Sequence, residues 1–157
     1  AVTTNDLADA ARLGLVEGAV AALHGRATRS ADALLAAGPP GHSLAVPALV
    51  ATGRMEEARI AAAGPAPAPV RLLAQAVLAA AQTAGALPLF IEAAEALEAT
   101  PPALLLPDTP HALGALVAVS AGDVATAENL LQRGLSRGCG GPRALERHRL
   151  LLAWAER

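Results

Sequence analysis

The sequence predicts an all-α protein, built as a stack of antiparallel helix hairpins. Three observations carry this. Hydrophobic residues make up 54% of the 157-residue chain, and Ala dominates them. Ala has the highest intrinsic helix propensity and loses no side-chain entropy on folding. Aromatic strand formers are nearly absent, with one Phe, one Trp and no Tyr. Finally, a local pattern recurs: a Gly, an apolar residue two places on, and usually Ala five places on. It occurs at Gly14 (Val16, Ala19), Gly53 (Met55, Ala58), Gly85 (Leu87, with Phe90 for Ala) and Gly122 (Val124, Ala127).

The spacings of 39, 32 and 37 residues lie near the roughly 34-residue period of tetratricopeptide repeats. The expected architecture is therefore a tetratricopeptide-like right-handed superhelix. Each Gly would end one helix in the left-handed conformation that Gly adopts cheaply. The apolar and small residues after it would face the preceding helix and let it come close.

Helices are placed around these turns. The first pair is Asn5 to Leu13 and Val16 to His24, and a further helix follows from Ser30, its N-cap, to Ala37. Gly38-Pro39-Pro40-Gly41 reads as a break. The second pair is Ser43 to Thr52, bent at Pro47, and Met55 to Ala63. Gly64-Pro65-Ala66-Pro67-Ala68-Pro69 reads as a stiff extended connector. The third pair is Val70 to Ala84 and Pro88 to Ala99, the latter with Leu87, Ile91, Ala94 and Leu97 as its apolar stripe, ended by Thr100-Pro101-Pro102. The fourth starts with Thr109 as N-cap and Pro110 at the first helical position, runs to Ala121, and returns from Asp123 to Arg137. Val124, Ala127, Leu130 and Leu131 form the buried stripe of that return helix. A last helix, Pro142 to Arg157, is anchored by Leu145, Leu152 and Trp154 and has no partner. The whole reads as one domain, 1–157, with a subdivision at 64–69, and as a fragment of a longer protein.

Composition excludes several chemistries. The longest uninterrupted apolar stretch is Ala112 to Val119, far short of the roughly 20 residues that span a bilayer. No positively charged start resembles a secretory signal. Cys139 is the single cysteine, so no intrachain disulfide or thiolate metal site is expected, which suits the cytoplasm. Among Gly138, Gly140 and Gly141 it is expected in a mobile loop. All twelve basic residues are Arg, so there is no Schiff-base lysine and no lysine-bearing phosphate loop.

His24, His42, His111 and His148 have no metal-ligand spacing and are expected at helix ends or on the surface. Glu92, Glu95 and Glu98 recur every three residues and read as a solvated helix face. A helical metal site would need a Glu-x-x-His partner, and none is present. No catalytic, cofactor-binding or metal residue is expected. Charge is uneven: residues 1–129 hold six Arg against twelve acids, and residues 130–157 hold six Arg against Glu146 and Glu156. Arg133, Arg137, Arg143, Arg147 and Arg149 are thus candidates to contact an anion or an acidic partner. Direct nucleic-acid contact is not expected, because single-strand binding uses aromatic platforms. Leu150, Leu151 and Leu152 spread over about 200° of a helix, so some apolar surface should lie bare. Leu151 and Trp154 are the expected self-association residues, in a homodimer.

Three stretches carry a resemblance. Gly122-Asp123-Val124-Ala125-Thr126-Ala127-Glu128-Asn129-Leu130-Leu131, Pro107-Asp108-Thr109-Pro110-His111-Ala112-Leu113 and Arg147-His148-Arg149-Leu150-Leu151-Leu152-Ala153-Trp154 resemble the helical-repeat region of large LuxR-type transcription regulators of high-GC bacteria. These are similar to the maltose-regulon activator, and the resemblance spans residues 43–157. It implies a middle array that binds an inducer or a protein partner and relays this to ATP-binding and DNA-binding domains outside this chain. The alternatives are a stand-alone protein-protein scaffold and a helical metal-dependent enzyme.

Overall fold

The computed structural model describes residues 4–83, 85–100, 106 and 108–157. Among these there is no strand, and the elements are α1 (Thr4–Leu23), α2 (Ala27–Ala36), α3 (Pro39–Ala51), α4 (Met55–Ala62), α5 (Ala68–Gln82), α6 (Leu87–Glu98), α7 (Pro110–Ser120), α8 (Val124–Arg137) and α9 (Gly141–Ala155). The all-α expectation holds. No helix of the described residues is long and apolar enough to cross a membrane.

Three turns share one hydrogen-bonding scheme. Gly25, Gly53 and Gly122 have φ of 68°, 76° and 79°. Each donates its N–H to the carbonyl three residues back, and the next residue reaches five back: Arg26 to Ala21 (2.9 Å), Arg54 to Leu49 (2.9 Å), Asp123 to Ala118 (2.8 Å). This doubly bonded closure satisfies carbonyls that the helix leaves open. The residue after the Gly then accepts the first bond of the next helix, from Ser30, Ala58 and Ala127. Those three residues are fully buried, because they face the crossing point of the two helices.

The first copy of the pattern is therefore Gly25 with Ser30, and Gly14 is not a turn. The helix pair expected across Gly14 is one continuous helix, α1. Its Gly14 and Gly18 lie against α2. A Cβ on Gly14 would sit 3.0 Å from the Ala37 Cβ, and one on Gly18 would overlap Leu34. Two glycines four apart let the α1 and α2 backbones approach, at a propensity cost of about 1 kcal/mol each. Ser30 is likewise not an N-cap. It sits inside α2 and donates from Oγ to the Gly18 carbonyl at 2.8 Å.

Other boundaries shift for local reasons. Pro39 and Pro40 open α3 rather than break the chain, since Pro needs no N–H partner in a first turn. The helix runs on through Pro47. The connector before α5 ends at Pro67, in an extended conformation (φ −55°, ψ 148°). Ala84, Pro101, Pro102 and Pro107 lie outside the described residues. In α6 the buried stripe is Phe90, Ala93, Ala94 and Leu97, so Leu87 and Ile91 sit at its margin. In α8 Ala127, Leu130 and Leu131 are buried as expected, but Val124 is 40% exposed. Trp154, expected as an anchor of α9, is 54% exposed. One side of its ring borders α7 and the rest faces solvent.

Packing runs along the chain. Neighbouring helices touch in sequence, and α1 with α3, α3 with α5, α6 with α8 and α7 with α9 also meet. The core is Ala-rich: Ala31, Ala45, Ala48, Ala58, Ala61, Ala62 and Ala74 pack with Leu34, Val46 and Leu49 in one cluster. Phe90 fills a second cluster with Val70, Leu73 and Leu97, and Gly114 opposite leaves room for its Cβ.

Replacing Gly18 by Ala is expected to destabilise the fold by about 1–3 kcal/mol, despite the better helix propensity of Ala, because Leu34 has nowhere to go. Urea unfolding of Gly18→Ala with and without Leu34→Ala measures this. A stabilised Gly18→Ala protein contradicts the close-approach account.

Candidate functional site

The densest polar cluster lies where α6, α7, α8 and α9 meet. Thr109 caps α7, its Oγ1 accepting the Ala112 N–H at 3.2 Å, as expected for an N-cap followed by Pro110. The same oxygen lies 2.7 Å from Nε2 of His148 on α9. Two residues on, His111 places Nε2 2.9 Å from Oε1 of Glu98. A carboxylate only accepts, so this nitrogen carries the proton. Arg133 of α8 donates to that oxygen through Nε at 2.9 Å. At the rim, Arg147 pairs with Asp108 at 3.0 Å, and Asp108 accepts the Thr109 N–H.

His111, His148 and Thr109 are sealed, at 0%, 0% and 1% exposure. The imidazoles stand with centroids 5.8 Å apart, tilted by 57°. Gly134 makes the space: a Cβ there would lie 2.7 Å from His148 Cε1 and 3.2 Å from His111 Cβ. The Nδ1 atoms of both rings are buried without a partner among the described residues. A second ring proton would have no acceptor, so both rings are held neutral.

Electrostatics agree with that geometry. Burial, with the positive charge of Arg147 and any on His111, pushes His148 down to about 4. Burial also lowers His111, aided by Arg133 and opposed by Glu98. For Glu98 burial acts upward, but the His111 bond and the charge and bonds of Arg133 outweigh it, leaving it below the usual carboxylate range. Burial raises Asp108 against the pull of Arg147 and the Thr109 N–H.

These placements correct several expectations. His111 and His148 are core residues, not surface ones. Glu98 is engaged rather than solvated, while Glu92 and Glu95 are exposed. Cys139 is not in a loose loop. It is buried in a tight turn in which its N–H bonds the Gly134 carbonyl at 3.0 Å, and burial pushes its thiol up. The five candidate arginines do not converge: Arg133 turns onto Glu98, Arg147 onto Asp108, Arg137 is at the end of α8, and Arg143 and Arg149 lie on different sides of α9. Among the described residues no group of three or more His, Cys, Asp or Glu is placed to hold a metal.

The sequence did carry one signal for His148. It shares a helical face with Leu145 and Leu152, at spacings of three and four. His111 directly follows a cap and a Pro and precedes an apolar run, which marks the inward side of a first turn.

A second feature is apolar. Ala115, Leu116 and Val119 of α7, Leu131 of α8, and Leu151, Trp154 and Ala155 of α9 line a shallow, open groove. The chain matches no protein-family model, no curated protein and no solved structure.

The buried rings give a signed pH dependence. In the unfolded chain each imidazole takes a proton near 6.5, whereas folded His148 does so near 4. Below pH 6.5 the unfolded state therefore binds more protons, and stability falls as pH drops toward 4. Above that window the histidines contribute no slope. The expected loss from His148 is about 2–3 kcal/mol, and His148→Gln should flatten the profile. Urea unfolding at pH values from about 7.5 to 4.5 tests this. Equal stability at pH 7 and pH 5 would exclude it.

Proposed function

We propose that this chain is a non-catalytic helical-repeat interaction module, a tetratricopeptide-like right-handed superhelix. In the LuxR-type regulators that it resembles, such an array binds a partner or inducer and relays it to ATP-binding and DNA-binding domains. One observation carries this reading. The polar cluster is closed and occupied by its own hydrogen bonds, while large apolar side chains stand exposed on α1 and α9: Leu13 at 69%, Leu150 at 67%, Trp154 at 54%. The two histidines of the cluster thus face the core, while α1 and α9 present apolar side chains to solvent. The three like turns at Gly25, Gly53 and Gly122 support the repeat architecture.

The α7–α9 groove favours a protein segment over a small inducer. It is open to solvent and encloses no space for even a water molecule, whereas ligand pockets enclose roughly 300–1,000 Å³. Inducer sensing and a stand-alone scaffold are therefore separable readings of one surface. A thermal-shift screen against sugars and metabolites distinguishes them. A ligand at about 100 times its Kd adds about 2.7 kcal/mol, a rise in Tm of roughly 5–10 °C for a chain of this size. A shift of that size establishes a sensor, and none across the screen leaves the scaffold. A stoichiometric metal in the purified protein would overturn the non-catalytic reading.

A further inference from the structure

Two exposed helix faces at opposite ends of the fold have matching patterns. On α1, Leu13, Val16, Val20 and Leu23 are 69%, 51%, 47% and 47% exposed. Their spacing of three and four residues lines them along one side of the helix. Seven residues before Leu13 and Val16, on the same side, come Asp6 and Asp9. On α9 the exposed apolar pair is Leu150 and Trp154. Seven residues before these come Arg143 and Arg147. Each helix therefore carries two charges, then two apolar groups two turns later, in the same order along the chain. The charges have opposite sign. Helix α1 holds Asp6, Asp9 and Glu17 against Arg12, a net −2, and α9 holds Arg143, Arg147 and Arg149 against Glu146, a net +2.

We propose that α1 of one copy docks parallel to α9 of a second copy, head to tail. It rests on the docking half of the proposed function and names the partner. In the parallel register Asp6 and Asp9 lie along Arg143 and Arg147, and Leu13 and Val16 lie along Leu150 and Trp154. The exposed apolar side of α1 then lies along the exposed apolar side of α9. An antiparallel pairing would set the carboxylates against Trp154. A symmetric α9–α9 contact would bring like guanidiniums together. Asp9 meets Arg12 at 3.5 Å with both largely solvated, a pair that holds its partner weakly, and Arg147 keeps about half of its side chain exposed beside the mostly buried Asp108.

A contact between two different faces leaves one of each free, so the assembly is open-ended and its mass rises with concentration. The test is complementation between two half-blocked chains. Leu13→Gln/Val16→Gln removes the α1 pair, and Leu150→Gln/Trp154→Gln removes the α9 pair. All four side chains are about half or more exposed, so both variants should keep the circular dichroism of the parent. By sedimentation velocity at up to about 0.5 mM, suited to a small, weak interface, the parent should exceed monomer mass. Each variant alone should be monomeric, and their equimolar mixture should reach twice the monomer mass. Raising salt from about 0.05 to 0.5 M should weaken the mixed dimer. A monomeric parent, a monomeric mixture, or either variant dimerising alone overturns the proposal. None of these outcomes touches the inducer screen, which reads the monomer.

Discussion

The constraint behind this structure is the scarcity of large side chains. With one Phe, one Trp and a core dominated by Ala, each helix pair must come close to gain dispersion contacts, which fade within an ångström of gap. Glycine at the crossing points permits that approach. Gly18 faces Leu34, Gly41 faces the end of α2, Gly114 faces Phe90, and Gly134 faces both buried histidines. Each costs helix propensity, yet each makes room for a side chain or a backbone carbonyl of the facing helix. The close-packed turns follow from the same need. A doubly bonded Gly turn reverses the chain within a few residues, so the small residue five places on lands against the preceding helix.

In that setting the imidazoles of His111 and His148 act as core-filling groups. They are among the largest fully buried side chains in the molecule. Each keeps one ring nitrogen bonded, to Glu98 or Thr109, and leaves the other bare. An unpaired buried nitrogen costs about 1–3 kcal/mol, and protonation would cost more. The arrangement is therefore tolerated with neutral rings, as the depressed affinity of both for a second proton requires. Glu98 remains ionised beside them because Arg133 supplies the opposite charge at the solvent edge.

Legibility in the sequence followed the range of the interaction. The all-α class, the N-cap at Thr109 and the turns at Gly53 and Gly122 depend on residues within one or two turns, and they were readable. Gly14 resembles a turn in sequence because a turn glycine and a close-packing glycine carry the same letter. What separates them is Leu34 and Ala37 on another helix. Ser30 hid the true first turn, at Gly25, because Ser took the place that Ala holds in the other copies. The polar cluster was missed because its bonds join positions 39, 13 and 35 residues apart. The Leu145, His148, Leu152 face and the place of His111 after a cap and a Pro point inward, but an inward-facing His names no partner. The angular spread of the last leucines requires some bare apolar surface on α9, and Trp154, at 54% exposure, carries part of it rather than anchoring the helix.

Helix α9 shows how these levels connect. Leu145, Leu150, Leu151, Leu152 and Trp154 spread around more than half of its circumference, so burial of apolar area does not by itself choose which side faces in. A polar contact does. His148 fits the space over Gly134 and meets Thr109, and no apolar residue of α9 can make that bond. A helix turning about 100° per residue sets His148 roughly 160° from Leu150. Seating the imidazole therefore turns Leu150 and Trp154 outward and leaves Leu151 and Leu152 along α7 and α8. Buried polar groups are known to select one packing among several of similar area, and here the selection decides what surface the molecule presents. The neutral histidine inside and the apolar patch outside are two faces of one helix rotation, so a change that unseats the first must also redraw the second.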